Sequence, residues 1–359
     1  MPRVLIDVER LRQPNSGLGQ VALNLGKEFL THPAATWRPV FLIPKVGLEV
    51  FGESIDHEIP SWRRRYTPRL APQYDLWHIL HQDASHLPNP GTPSILTIHD
   101  LNFLEEKSAS KANRRLAKVQ KLVDNASAVT VISNFTKCIV EQHLDLGDSP
   151  IDVIYNGLCT DRSDDGTRPD FLPEGEFLFT LGVVRRKKNF HVLVDFLSRL
   201  DGLNLVIAGN TKGSYADNIK ERARNLGLED RVIMAGEIEE THKVWLFRNC
   251  KAFVFPSLYE GFGLPLLESM SFGKPTFCAA RSSLPEIGGD DVFYWDDFDI
   301  EHMVDVYDRG MRAFCEDASR LERLQDRADK FSWINAARQY GQLYERILSA
   351  DSDVQELRV

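Results

Sequence analysis

The chain has 359 residues, of which 43% are hydrophobic, 26% charged and 10% aromatic, and its net charge is −9. A single hydrophobic core stops growing at roughly 250 to 300 residues, so two domains are expected, in a folded rather than a disordered or fibrous protein. The acidic balance argues against general nucleic-acid binding, which needs clustered Lys and Arg to neutralise phosphates.

The opening residues, MPRVLIDVE, read directly as a strand, with no basic segment, apolar run and cleavage site, so no signal peptide is expected. Further strands are predicted at WRPVFLI, DLWHIL, SILTIH, AVTVIS and IDVIY, and helices at 19–30, 110–125 and 135–143. Short β-branched runs alternating with amphipathic helices form βαβ units around a parallel sheet. Residues 158–176 are polar, rich in Asp, Gly and Pro, and follow neither period, which reads as a linker. A second series of units follows, with strands at FLFTLGV, LNLVIAG, RVIMAG, AFVFPS and PTFCA. The end segment FSWINAARQYGQLYERIL places Ala337, Tyr340, Leu343, Tyr344 and Ile347 at helical spacing, so it must dock on a domain. The expectation is an α/β protein with two doubly wound Rossmann-like domains facing a central cleft, at 1–165 and 166–334, and a helix at about 335–350 returning to the first.

Cys138, Cys159, Cys250, Cys278 and Cys315 show no C-x-x-C spacing, which suggests neither a disulfide framework nor a zinc site and fits a reducing cytoplasm. Apolar runs such as AFVFPSLY are too short to cross a bilayer. Residues 60–121 nevertheless carry ten Lys/Arg against five Asp/Glu. The segments 62–69, where Trp62 and Tyr66 stand beside Arg63, Arg64, Arg65 and Arg69, and 107–121 read either as solvated basic faces or as contacts for an anionic acceptor or the inner membrane face.

Several motifs carry chemistry. In PNSGLGQVALNL, Gly17 and Gly19 follow the first strand and open a helix, which serves a tight turn, an anion or sugar contact, or a dinucleotide. No acidic residue stands at a fitting distance for the dinucleotide reading. ILTIHDLNF puts His99 at a strand end, with Asp100 beside it to cap or orient it. WHILHQDASH gathers His78, His81, Asp83 and His86 without standard metal spacing. In LGVVRRKKNF, Gly182 ends a strand and four cations, Arg185 to Lys188, precede a helix expected to begin near Asn189. Cations disfavour a helix N-terminus, so an anion such as a nucleotide diphosphate is the natural compensation, a solvated loop the plain alternative. In SLYEGFGLPLLESMSFGKP, Pro265 suits the first turn of a helix and Gly273 its C-terminal cap. Glu260 and Glu268 flank the Gly-Phe-Gly turn, and carboxylates there match the vicinal hydroxyls of ribose and hexose.

This last stretch, followed by SSLPEIGGD, resembles the E-x7-E signature of the retaining glycosyltransferases of family 4, which have the GT-B fold. The similarity extends through SGLGQ, TIHDL, VISNFTK, VIYNGL, KKN, LVIAG and FSW. The resemblance implies a nucleotide diphosphate sugar on the C-terminal domain and an acceptor on the N-terminal one. Glu268 would hold the ribose and Glu260 the donor sugar. Gly261, Phe262, Gly263 and Leu264 would offer amides to sugar and phosphate, and Lys188 would neutralise the diphosphate. His99 would lie beside the donor sugar, Gly17 and Gly19 beside the phosphate, and Glu237 and Ile238 beside the base. Many members place Arg directly after the Gly matching Gly182, where this chain has Val183, and others place Arg where it has Lys187. The second phosphate cation is therefore open among Arg185, Arg186 and Lys187.

The implied reaction moves a hexose, with a lean to mannose, from a GDP or UDP type donor to a saccharide or lipid-linked saccharide, without a metal or other cofactor. The leaving diphosphate takes the acceptor's proton on the same face, which retains configuration. A catalytically silent nucleotide-sugar-binding protein and a dinucleotide oxidoreductase are the competing classes.

Overall fold

The computed structural model describes residues 1–14, 16–52, 54–61, 72–147, 149–158 and 162–356, with 351–356 described by their backbone alone. The basic segment 62–69, with its Trp62 and Tyr66, and Cys159 lie outside the described residues. The chain divides into two units, Met1–Cys159 with Phe331–Val359, and Thr160–Lys330.

Unit 1 is built on a parallel sheet of β1 (Arg3–Asp7), β2 (Arg38–Leu42), β3 (His57–Glu58), β4 (Leu76–Ile79), β5 (Ser94–Ile98), β6 (Ala128–Val131) and β7 (Ile151–Val153). Their order across the sheet is β3-β2-β1-β4-β5-β6-β7. The apolar runs are continuous because both faces are covered, as parallel sheets require. Val4 and Ile6 join a cluster with Val21, Leu25 and Phe29 of the helix Gly17–Thr31 and with Tyr340 and Tyr344 of the helix Trp333–Glu356. Leu5, between them in β1, joins Leu96, Val119 and Val131 on the other face. Ser16 starts the first helix by accepting the Gly19 amide at 3.0 Å.

The end helix is fixed to this sheet by polar contacts as well. His78 of β4 bonds the Tyr344 hydroxyl through Nδ1 at 2.6 Å and the Thr97 hydroxyl through Nε2 at 2.7 Å. Burial, with a small contribution from His99, pushes the His78 imidazole down to about 3, so it is neutral. The two-residue β3 has no counterpart among the predicted strands, because a pair of residues carries no readable period.

Unit 2 holds β8 (Glu176–Leu181), β9 (Leu203–Ala208), β10 (Val232–Gly236), β11 (Ala252–Phe255), β12 (Thr276–Ala279) and β13 (Phe293–Trp295). Their order is β10-β9-β8-β11-β12-β13, again parallel. Both sheets reverse direction beside their first strand, between β1 and β4 in unit 1 and between β8 and β11 in unit 2. At such a point the loops leaving the carboxyl ends part and open a crevice, where ligands of doubly wound sheets bind. Among the described residues, no helix is long and apolar enough to cross a membrane.

Candidate functional site

In unit 2, the segment after β8 meets the segment after β11 at that reversal. Lys188 Nζ lies 2.5 Å from Glu260 Oε1, and the Ser257 hydroxyl donates to the same oxygen at 2.6 Å. Lys188 is 9% exposed, and its ammonium sits 4.8 Å from the centre of the Phe255 ring. The helix expected to begin near Asn189 starts two residues on, after a tight turn. Arg186–Lys188 form a 3-10 turn, Asn189 takes a left-handed conformation at φ 57°, and the helix runs over His191–Leu197 with Phe190 as its cap. The four cations therefore do not crowd one helix end. Lys188 turns inward onto Glu260, whereas Arg185 and Arg186 are exposed.

Gly182 makes that inward turn possible. A side chain there would begin 3.0 Å from Lys188 Cε, at a φ of 153° that favours glycine. The Leu258 amide donates to the Lys187 carbonyl at 2.8 Å, which ties the two segments together. On the far side of Glu260, its amide donates to Ser282 Oγ at 3.0 Å, and the Ser283 hydroxyl donates to the carbonyls of Glu260 and Phe262, each at 3.0 Å. Ser282 holds a left-handed φ of 54°, a conformation that persists where surrounding contacts enforce it. The serines of SSLPE thus fix the backbone that carries Glu260.

The helix after the turn spans Leu264–Ser271, with Gly263 as its cap at φ 102°. Glu268 lies one turn inside it, and its Oε1 is 2.6 Å from Lys243 Nζ, which also reaches Glu240 at 2.8 Å. Burial alone would lower the Lys243 pKa, but Glu268 and Glu240 outweigh it and raise it, so the ammonium stays charged. Lys243 is absent from the expected site because its spacing relates it only to Glu240, and its pairing with Glu268 joins different helices. Glu237, exposed at the end of β10, accepts from Asn210 Nδ2 at 2.7 Å, and half-buried Ile238 follows it. The structure thus gathers Gly182, Lys187, Lys188, Glu260 and the Gly261–Leu264 turn, with Glu268 behind them.

His99, Gly17 and Gly19 belong to unit 1. His99, at the end of β5, is 3% exposed and donates through Nε2 to the Leu80 carbonyl at 2.9 Å. Burial pushes its imidazole down to about 4 against the raising effect of Leu80. A neutral ring with Nε2 protonated leaves Nδ1 as an acceptor. The expectation that Asp100 orients His99 needs correction. The ring is held by Leu80, the His99 amide by Gln82 Oε1 at 3.2 Å, and Asp100 Oδ1 accepts the Asn102 amide. Gly19 approaches the chain's own backbone, since a side chain there would lie 2.1 Å from the Gln13 carbonyl, while Gly17 faces open space.

The histidines of WHILHQDASH go to separate partners. His78 faces Tyr344, His81 accepts from Arg10 at 2.8 Å, and His86 pairs with Glu9 at 2.8 Å. The string Asp297-Phe298-Asp299 has a D-x-D form, yet Asp299 caps the helix Ile300–Glu316 and Asp297 accepts the Asp299 amide. No cluster of metal-ligating side chains is found among the described residues.

Two parallel units, the second with a lysine–carboxylate site at the reversal of its sheet, define a doubly wound Rossmann-like class, and comparison with known proteins makes it specific. Residues 166–331 match the family model "Glycosyl transferases group 1", and residues 32–162 match "Glycosyltransferase Family 4". Together they span most of the chain, which belongs to the family 4 type of glycosyltransferases. The chain is 30% identical over 190 residues to the serotype-specific mannosyltransferase WbdA of Escherichia coli, covering 51% of this chain and 23% of that protein. It is 24% identical over 384 residues to the O-antigen chain mannosyltransferase B of Escherichia coli, covering 94% and 98%. The chain spans only about a fifth to a third of the WbdA proteins it matches. The fold is that of Anabaena HepE solved in complex with UDP-glucose, at TM-score 0.76 and 17% identity over 96% of this chain and 100% of that one.

Proposed function

We propose that the chain is a retaining glycosyltransferase that moves a hexose, mannose first among candidates, from a GDP or UDP type sugar to a saccharide or lipid-linked saccharide in surface polysaccharide assembly. The observation that carries this reading is the pair of lysine–carboxylate contacts, Lys188–Glu260 and Lys243–Glu268, at the reversal of the second sheet. Each lysine engages one carboxylate oxygen, and the second oxygen of each acid is then the acceptor for donor hydroxyls. Glu260 takes those of the sugar and Glu268 those of the ribose. As the bond from the anomeric carbon to phosphate breaks, charge grows on the diphosphate. Lys188, one cation among Arg185, Arg186 and Lys187, and the amides of the Gly261–Leu264 turn stabilise it there without a metal. The diphosphate oxygen accepts the acceptor's proton on the face it leaves, so configuration is kept. The family resemblance assigns His99 to the donor sugar, Gly17 and Gly19 to the phosphate, and Glu237 and Ile238 to the base.

The names of the similar Escherichia coli proteins support mannose, and the UDP-glucose bound to HepE supports a nucleotide-sugar donor. Lys111, Arg114, Lys118 and Lys121 are exposed along the helix Ala109–Val123, which supports peripheral contact with an anionic lipid surface from the cytoplasmic side. Thermal shift with UDP, GDP and ADP identifies the base, because a ligand of the folded state raises its stability. Mass-spectrometric transfer assays with the matching sugars follow. Nucleotide binding with neither transfer nor slow hydrolysis of the donor would sink the enzyme reading.

A further inference from the structure

The reversal point of the first sheet holds a second polar site. A cavity of about 200 Å³ opens between the carboxyl ends of β1 and β4, lined by Asp7, Glu9, Arg10, His81, Asp83 and Ser85 among others. Asp7 is the last residue of β1 and is 6% exposed. Its Oδ1 accepts the Glu9 amide at 2.9 Å, and among the described residues no cation comes within ion-pair distance of it. A carboxyl group so deeply placed, with one backbone amide as donor and facing a cavity, has acceptor capacity left over.

The charged groups around it are already engaged with one another. Arg10 donates to His81 Nδ1, Arg12 pairs with Glu9 at 3.0 Å, and His86 pairs with Glu9 at 2.8 Å. Asp83 is held by Arg115 from the helix Ala109–Val123. His81 Nδ1 also accepts the Asp83 amide at 2.9 Å, so its proton sits on Nε2, and burial, with His99, Arg10 and Arg115 nearby, holds its pKa well below the ordinary value. The wall thus offers a strong acceptor at Asp7 and a neutral donor at His81. Its three acids, Asp7, Glu9 and Asp83, outnumber its two arginines, Arg10 and Arg12, which disfavours an anionic ligand. The volume suits one pyranose ring and is below that of sites for drug-sized ligands.

We infer that this cavity binds a neutral sugar residue of the acceptor, with the Asp7 carboxylate accepting hydrogen bonds from its hydroxyls and His81 Nε2–H donating to its oxygens. The inference rests on the glycosyltransferase reading and adds to it the side chains that hold the acceptor and their preference for an unphosphorylated sugar. Burial first, and then Glu9, raise the Asp7 carboxyl to about 7, against its own hydrogen bond to the Glu9 amide and the opposing charges of His86 and Arg10. Hydroxyl donors favour the ionised form, so sugar binding strengthens as pH rises through that range. His86, whose hydrogen bond to Glu9 raises its pKa, opposes the rise at Asp7 while it is charged.

The test is calorimetric titration of the full chain with methyl glycosides of mannose, glucose, galactose and N-acetylglucosamine, and with mannose 6-phosphate, at pH 6, 7 and 8. At least one methyl glycoside is expected to bind more tightly than mannose 6-phosphate and to gain affinity with pH. Asp7→Asn should weaken it by about tenfold or more and flatten the pH trend, because a hydrogen bond to a charged group is lost. Ser85→Trp, which fills the cavity from its exposed rim, should weaken it as well. Nucleoside diphosphate affinity should stay within about twofold in both variants, which shows that they fold. No glycoside binding to the wild type, preference for the phosphorylated sugar, or unchanged binding in Asp7→Asn overturns the inference. Failure of the wild type to turn over any nucleotide sugar, with glycoside binding intact, instead counts against the glycosyltransferase reading.

Discussion

The two sheets reverse at equivalent places, beside β1 in unit 1 and beside β8 in unit 2, but furnish those places with opposite chemistry. Beside β8, each acid has a lysine: Glu260 has Lys188 and Glu268 has Lys243. Beside β1, Asp7 has no cation at ion-pair distance among the described residues, while the neighbouring charges satisfy one another. Pre-paired lysines are suited to a ligand that brings negative charge, since the lysine can share itself between carboxylate and phosphate. A lone buried carboxyl is suited to a neutral ligand that brings hydroxyl donors. The same topology can therefore hold two substrates of different charge on its two copies.

Four substitutions break or sharpen this contrast. The largest effect is expected from Lys188→Ala, which removes the cation proposed to face the leaving diphosphate. Turnover should fall by about 10²–10³, as for loss of one preorganised donor, in initial-rate assays with the far-ultraviolet circular dichroism unchanged. Near-normal turnover would separate Lys188 from the chemistry.

Asp7→Asn tests the other side through stability. A carboxyl with a folded pKa near 7 against an unfolded value near 3.8 binds its proton more tightly in the native state. Native stability therefore falls as pH rises from about 4 to 7, and the loss persists above that range. The asparagine has no such loss. Asp7→Asn should be more stable than the wild type at pH 8 by at most about 4 kcal/mol, and equal to it below pH 4, in denaturant titrations. A gap independent of pH would show that Asp7 is not the titrating group.

Lys243→Met keeps the length of the side chain and removes the charge that orients Glu268. A donor KM raised by about tenfold with kcat changed by less than about threefold is expected, since the proposed ribose contacts would serve binding in ground and transition state alike. An equal loss in kcat would give Lys243 a role beyond orientation. The smallest effect belongs to Tyr344→Phe, which deprives His78 Nδ1 of its partner within the core of unit 1. The melting midpoint should drop by the equivalent of about 1–2 kcal/mol, with kinetic constants unchanged.

How far these features were readable follows from their range along the chain. Strands such as RVLID and AFVF are apolar runs whose period and length suffice, and the turn around Gly263 is announced by Gly-Phe-Gly, Pro265 and Gly273. The two-residue β3 falls below any readable period. The lysine partners were legible only in part. Lys188 stands in a run of four cations, but that it alone turns inward depends on the left-handed Asn189 and on the space left by Gly182. Lys243 and Glu268 lie 25 residues apart, on separate helices. Asp7 ends an apolar strand, and the cavity in front of it exists only because β4, some 70 residues later, lies next to β1. Charge in sequence shows where to look, and pairing in space decides what the charge can do.

The most direct test of the central claim is the fate of the anomeric centre. The full chain and Lys188→Ala are incubated with GDP-mannose labelled with carbon-13 at C1, and with UDP-glucose labelled likewise. Proton and carbon resonances of the anomeric position are followed from the first minutes. The account predicts a product, whether transferred or slowly hydrolysed, that keeps the donor's α configuration with one of the two donors, and a rate lower by about 10²–10³ in the variant. Inversion at C1, or equal rates with and without Lys188, would contradict it.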